Sequence, residues 1–350
     1  MPEARARLVV AAPLGGPAGA RLAPLLQAIA RLVPTMFLAA RQLDVDLAPG
    51  RCLPLAAWQL DNELAVLPHL HILADDPAAE AALRAALFRP GHVVLADAGL
   101  ARLYRGMTVG QGRPLLWERM LAEGHGPAAR RLAGSGFEAS ALRLMPMLEA
   151  ATAGAISLGL LHPAALAGLP ASHAARLLPP GFPPMPAMTR AEACAALGLG
   201  EGPHVLVTGP DTPRRHALEE AVRAADANPI LPDAGGLAPI AADALLALDL
   251  PLSAWDQPLM ETALSAGTPI LTWAEGPGSD HWPEPAVLRL EFAAVEAAMP
   301  PVTAALRALL ASLAPRGLAA RQHAAAHGPD ALARQMLAGI PGCLAGAATP

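Results

Sequence analysis

Two successions of short apolar runs, each run separated from the next by a helix-length stretch, constrain this chain more than any other feature. The first succession comprises Leu8–Ala12, Met36–Ala40, Leu64–Leu73, Val93–Ala96 and Ile156–His162. The second comprises His204–Thr208, Pro229–Leu231, Ala244–Leu250, Pro269–Trp273 and Val287–Leu290. Runs of this length suit strands covered on both faces, and regular alternation with helices brings such strands into parallel sheets. Helices are predicted over Arg21–Leu32, Ala78–Phe88 and Leu115–Leu132, and Pro301–Ile340 reads as helix with short breaks. Between the two sets lies LLPPGFPPMPAMTRAEACAALGLGEG (Leu177–Gly202), with five prolines from Pro179 to Pro186. A proline fixes φ and lacks an amide donor, so neither a helix nor an interior strand continues through such a stretch. The chain is therefore read as α/β, with two doubly wound Rossmann-like domains facing each other across a cleft. The first spans 1–180 and is completed by the C-terminal helix 328–350, a Pro-rich linker covers 181–202, and the second domain covers 203–327.

Composition narrows the classes of function. Hydrophobic residues make up 53% and charged residues 16% of the 350, which fits well-filled cores and excludes disorder. All 25 basic residues are arginine, the net charge is −5, and no basic stripe carries interleaved aromatics, so nucleic acid is excluded as a partner. Cys52, Cys194 and Cys343 are odd in number and lack metal-ligand spacing, as expected of reduced thiols in the cytoplasm. Residues 1–20 loosely mimic a secretion signal, but a first strand running into a Gly/Pro loop accounts for them better. Ala151–Ala175 has no charged residue and the length of a membrane span. His162, His173, Pro163, Pro170 and three glycines interrupt it, so it is read as a buried strand followed by broken helix.

Ala241–Trp273, AADALLALDLPLSAWDQPLMETALSAGTPILTW, condenses strand, loop, helix and strand into one unit. In such units ligands sit where the strand's carboxyl end meets the helix N-terminus. The active site is expected there.

The stretch from His71, HILADDPAAEAALRAALFRPGHVVLADAGLARLY, resembles the N-domain signature of family 4 glycosyltransferases, which have the GT-B fold. The correspondence runs without gaps from His71 through Asp97 to Tyr104. Further resemblances follow in order: SLGLLHPAAL (Ser157–Leu166), LLPPGFPP at the linker, RAEACAALGLGEGPHVLVTG, and AADALLALDLP with LSAGTPIL. Together they are spread over residues 71–271.

The resemblance implies sugar transfer from a nucleotide-sugar donor to a glycan or lipid-linked acceptor, retaining and metal-independent, with no cofactor beyond that co-substrate. Arg214 and Arg215 fall where the family binds phosphate, Arg215 being the closer match; a guanidinium can hold two phosphate oxygens at once. Their plainer reading is a solvated pair opening a surface helix. Gly15 and Gly16, with Gly19, resemble the family's loop in which backbone amides approach the ligand, although a glycine turn after a first strand is common. Glu261 lies near the ribose position, or is an ordinary exposed helix residue. Departures from the pattern are equally specific. Ala96 stands where the family has the His of a His-Asp pair, while Asp97 is kept; Ala74-Asp75 replaces a Gly-Asn turn, and Ala79 replaces a second His. The first of two carboxylates is missing, with Ser253 or Trp255 at its place and Asp256 beside it as a substitute.

Asp97 and Asp256 are thus the catalytic candidates, and Arg214, Arg215, Ser253, Glu261, Gly15 and Gly16 the donor-binding ones. No metal site is expected. His69 and His71 share a strand face, but no third ligand is placed with them, so a hydrogen-bonded, half-buried pair is the expectation. His125 and His162 are further polar candidates, and Met145 and Met147 are core or interface fillers. The reading is a cytoplasmic glycosyltransferase, with peripheral association at the inner membrane or with a partner enzyme left open. The alternative is a catalytically degenerate GT-B-fold protein serving as binding module or partner subunit. A two-domain cleft protein of other chemistry, such as a sugar epimerase or solute binder, is the third option.

Overall fold

A computed structural model describes residues 5–40, 42–133, 145–171, 173–179, 181–183, 188–209, 213–232, 236–248, 257–273, 282–291 and 300–344. The chain forms two compact units, Met1–Pro179 with Pro329–Pro350, and Pro180–Gly328.

The first unit is built on a seven-stranded sheet. Its strands are β1 (Leu8–Ala11), β2 (Thr35–Ala39), β3 (Cys52–Pro54), β4 (His69–Leu73), β5 (Gly91–Leu95), β6 (Ala155–Leu160) and β7 (Ala175–Leu177), in the order β3-β2-β1-β4-β5-β6-β7. Every pairing is parallel. The order reverses between β1 and β4, so the chain leaves the centre in opposite directions and opens a crevice at the carboxyl ends of those two strands. Apolar side chains fill both faces, which is why these strands lack polar alternation. On one face the helix Gly16–Leu32 buries Leu22, Leu25, Leu26 and Ile29 in the cluster that also holds Leu332, Ala333, Met336 and Leu337 of the helix Pro329–Ala338. The last helix of the chain therefore completes the first unit. Each such side chain contributes roughly 1.5–3 kcal/mol by leaving water.

The second unit carries β8 (His204–Val207), β9 (Asn228–Ile230), β10 (Ala244–Ala247), β11 (Ile270–Trp273) and β12 (Val287–Leu290), in the order β12-β11-β10-β8-β9. These pairings are also parallel. The reversal here falls between β8 and β10. Arg190 ties the amino ends of these strands together, its guanidinium meeting Asp243, the Gly202 carbonyl and His204 while its Nε donates to the Ala241 carbonyl at 3.0 Å.

Several elements differ from expectation for local reasons. The run Leu64–Leu73 is not one strand. Asp61 accepts from the amides of Glu63 and Leu64 and caps a short helix, Asn62–Ala65; the strand begins only at His69, after Pro68. The predicted helix Leu115–Leu132 breaks at Gly126 (φ +81), followed by Pro127, into Pro114–His125 and Pro127–Ala133. The second half of the Leu177–Gly202 stretch folds as the helix Arg190–Ala196. A reciprocal capping box starts it: the Glu192 amide donates to Thr189 Oγ1 at 3.3 Å and the Thr189 amide to Glu192 Oε2 at 2.8 Å. Edge strands β3 and β7, three residues each, have no counterpart among the predicted runs.

Candidate functional site

In the first unit the crevice between β1 and β4 is furnished by Gly15, Gly16, Asp75 and Asp76, with Asp97 beyond β5. Gly16 has φ +67, where a side chain is strained, and a Cβ on Gly19 would lie 2.6 Å from the Leu14 carbonyl carbon. Both glycines are thus required by the turn itself. Asp76 reaches across from the end of β4, its carboxylate accepting from Ala18 N at 3.2 Å and Ala78 N at 2.8 Å. It occupies one of the amides that the helix Gly16–Leu32, without a side-chain cap of its own, would otherwise leave open.

Asp97 is held on both oxygens. Arg21 Nη1 and Nη2 donate to Oδ1 and Oδ2 at 2.8 Å each, and the Asp75 amide donates to Oδ2 at 2.8 Å. A two-pronged pair of this kind fixes the orientation of the carboxylate. Ala96, where the family pattern has a histidine, is buried in the core. Asp75 in turn accepts from the amides of Arg102 (2.6 Å) and Leu103 (3.2 Å), capping the helix Ala101–Thr108 from outside. Burial, with the nearby Asp97 charge, pushes the Asp75 carboxyl up to about 6 against the pull of those amides. Arg21 was missed by the sequence reading, and Asp75 was read only as a departure from a Gly-Asn turn. Arg21 lies 76 positions from its partner, and no local pattern links the two.

In the second unit, Thr208 and Gly209 (φ +114) follow β8, and the helix Pro213–Ala224 begins just beyond. Its first turn holds Arg214 and Arg215 and no acidic residue, so a positive helix end and two guanidinium groups coincide. Arg214 lies across the strand-order reversal: its Nε donates to the Leu248 carbonyl past β10 at 3.2 Å, and its guanidinium carbon is 5.6 Å from the buried Trp273 ring at the end of β11. Arg215 runs along the helix to Glu219 at 3.2 Å, and Glu219 also meets Arg223 at 3.4 Å. The better sequence match, Arg215, is therefore the one engaged along its own helix, and Arg214 is the one that spans the sheet end. Thr208 and Thr272 are buried there, their hydroxyls on the Leu246 and Ala247 carbonyls.

Glu261 sits half-buried on the helix Gln257–Ala266. That helix ends at Gly267 (φ +84), where a Cβ would lie 2.2 Å from Arg321 Nη1. Ser253, Trp255 and Asp256 lie outside the described residues.

His69 and His71 do share a face, with ring centres 6.0 Å apart. Both are buried more fully than expected, and their environments differ. His69 Nε2 accepts from Trp58 Nε1 at 3.3 Å, whereas the His71 ring reaches only the Arg89 backbone, without a well-formed hydrogen bond among the described residues. Burial pushes both imidazoles down to about 4. His162 Nδ1 accepts from the Ala164 amide at 3.1 Å, an N-cap role. Among the described residues no group of three His, Cys, Asp or Glu is arranged to hold a metal ion.

Two units with all-parallel sheets, each reversing its strand order at the centre, define a doubly Rossmann-like protein. No protein-family model matches the sequence, and no curated protein does. Solved structures do match. Sucrose-phosphate synthase from Thermosynechococcus elongatus is 15% identical with a TM-score of 0.54, covering 95% of this chain and 97% of that one. Anabaena Alr3699/HepE in complex with UDP and glucose is 10% identical with a TM-score of 0.51, covering 97% and 100%. Its complex with UDP-glucose gives the same identity and score over 96% and 99%. The fold is GT-B.

Proposed function

We propose that the chain is a family 4-like glycosyltransferase that moves a sugar from a nucleotide-sugar donor to a glycan or lipid-linked acceptor, with retention and without a metal ion. The observation that carries this is Arg214, at the start of the twelve-residue helix that follows β8, reaching across the β8/β10 reversal of strand order to the Leu248 carbonyl past β10 and the Trp273 ring at the end of β11. A departing diphosphate needs positive charge and free amides at such a place. The Alr3699/HepE structures, which share the fold, hold UDP and UDP-glucose. Arg215, Gly15, Gly16, Glu261, Ser253 and Asp256 are kept as donor-side or catalytic candidates under the same proposal. A cytoplasmic location with peripheral membrane contact is part of the same proposal; no helix among the described residues is long and apolar enough to cross a membrane.

One observation favours the second reading, a GT-B protein without catalysis. Asp97, the retained member of the family's His-Asp pair, has both carboxylate oxygens engaged by Arg21. Thermal shift with UDP, GDP and ADP separates binding from non-binding. A nucleotide at 100 times its Kd is expected to stabilise the fold by roughly 2.7 kcal/mol. Arg214→Ala and Arg215→Ala should each weaken that nucleotide. Donor hydrolysis by the wild type then distinguishes an enzyme from a binding module, and failure of every nucleotide to bind would sink the enzyme reading.

A further inference from the structure

A cavity of about 600 Å³ lies in the first unit among the helices Ala101–Thr108 and Pro114–His125 and the segments 146–153 and 167–170. Neither Asp97 nor the Gly15–Gly16 turn is among its described lining residues. Its size is that of a small-molecule site. Three features mark it as built. Tyr104, only 6% exposed, is one of its lining residues, and its buried hydroxyl has no hydrogen-bond partner among the described residues, which buried polar groups in folded proteins rarely lack. Met147, also in the wall, has φ +53, a left-handed backbone that a methionine adopts only where surroundings enforce it. Gly168 meets Pro146 so closely that a Cβ would lie 2.5 Å from its Cγ, which leaves that wall little freedom to collapse.

The lining also states what the cavity would refuse. Met120, Leu148 and Leu169 offer apolar surface. Where the cavity meets solvent stand two exposed carboxylates, Glu149 and Glu123, the latter paired with Arg119 at 2.7 Å. Partial burial lowers the pKa of the His125 imidazole beside them. An anion would face net negative charge at the entrance and no Arg among the described lining residues.

We propose that this cavity binds an uncharged small molecule with an apolar body and a hydroxyl, the hydroxyl completing the hydrogen bonding of Tyr104. The proposal does not depend on the glycosyltransferase reading, and its test uses the full chain without nucleotide. Nile red, a neutral dye that brightens in apolar surroundings, reports occupancy, and 1-octanol competes with it. Octanoate at pH 7.5 should compete roughly tenfold less well than 1-octanol. Ala153→Trp, which sets an indole into the lining from an exposed position, should weaken the dye roughly tenfold while far-UV circular dichroism and Tm stay as in the wild type. Tyr104→Phe should weaken 1-octanol roughly fivefold and leave Tm unchanged or raised, because it deletes a hydroxyl without a partner. Equal dye binding by wild type and Ala153→Trp overturns the proposal. So does 1-octanol binding that ignores Tyr104→Phe, or octanoate competing as well as 1-octanol.

Discussion

Asp97 shows how one residue can keep its identity and change its work. Its carboxylate joins three parts of the first unit: the helix after β1 through Arg21, the turn after β4 through the Asp75 amide, and β5 through its own backbone. Asp97→Asn is expected to destabilise the first unit by about 1.5–3 kcal/mol, since hydrogen bonds to a charged group are lost and Arg21 keeps its charge; urea denaturation measures this. The buried histidines make a second prediction. His69 and His71 have folded-state pKa values near 4, below the unfolded 6.5, so the unfolded chain binds more protons between those limits. Their contribution is intact above pH 6.5 and is lost as pH falls towards 4. Asp75 acts in the opposite sense, its raised pKa meaning that acid relieves a strained charge. Two imidazoles against one carboxylate leave a net loss, so the urea midpoint should fall from pH 7 to pH 5, and less steeply in His71→Phe. The identities of Asp97 and His71 were plain in the sequence. What they touch was not, because contacts across 20 to 80 positions have no local period to betray them.

Elements were legible where periodicity was long and illegible where one residue decides. The alternating runs located β1, β2, β5, β6, β8, β10, β11 and β12 to within a few residues, since a strand covered on both faces needs continuous apolar character. Edge strands β3 and β7 are short, and only their neighbours make them strands. Asp61 and Thr189 turned presumed strand and linker into helix by supplying acceptors to first-turn amides. Gly267 belongs to this scale as well. It stops the helix Gln257–Ala266, and it also lets the helix Leu313–Ala326 approach: a Cβ on Gly317 would lie 2.6 Å from the Gly267 carbonyl oxygen. Gly267→Ala should cost about 1–3 kcal/mol from its positive φ alone and more by displacing Arg321. Hydrogen exchange should show the loss first in the helices Gln257–Ala266 and Leu313–Ala326. Uniform loss across the second unit, starting from β8, would contradict that assignment.

At the scale of the molecule, the first unit is made from two separated pieces of chain. Truncation after Gly328 removes Leu332, Ala333, Met336 and Leu337 from the face of the helix Gly16–Leu32. The first unit should then lose cooperative unfolding and become the earliest site of proteolysis, while residues 181–328 keep wild-type protection. The sequence reading assigned helix 328–350 to the first domain, and the structure packs Pro329–Ala338 on the helix Gly16–Leu32.

That return has a consequence for synthesis. When the first 179 residues have left the ribosome, the groove on the helix Gly16–Leu32 still waits for a helix about 150 residues downstream. At bacterial-to-eukaryotic elongation rates of roughly 5–20 residues per second the wait is on the order of 10–30 s. The later-made unit can close during that interval, its own segment being continuous. Order of birth and order of completion are therefore inverted: the half that emerges first is the half that finishes last, and for those seconds a leucine-lined groove is open to whatever holds nascent chains.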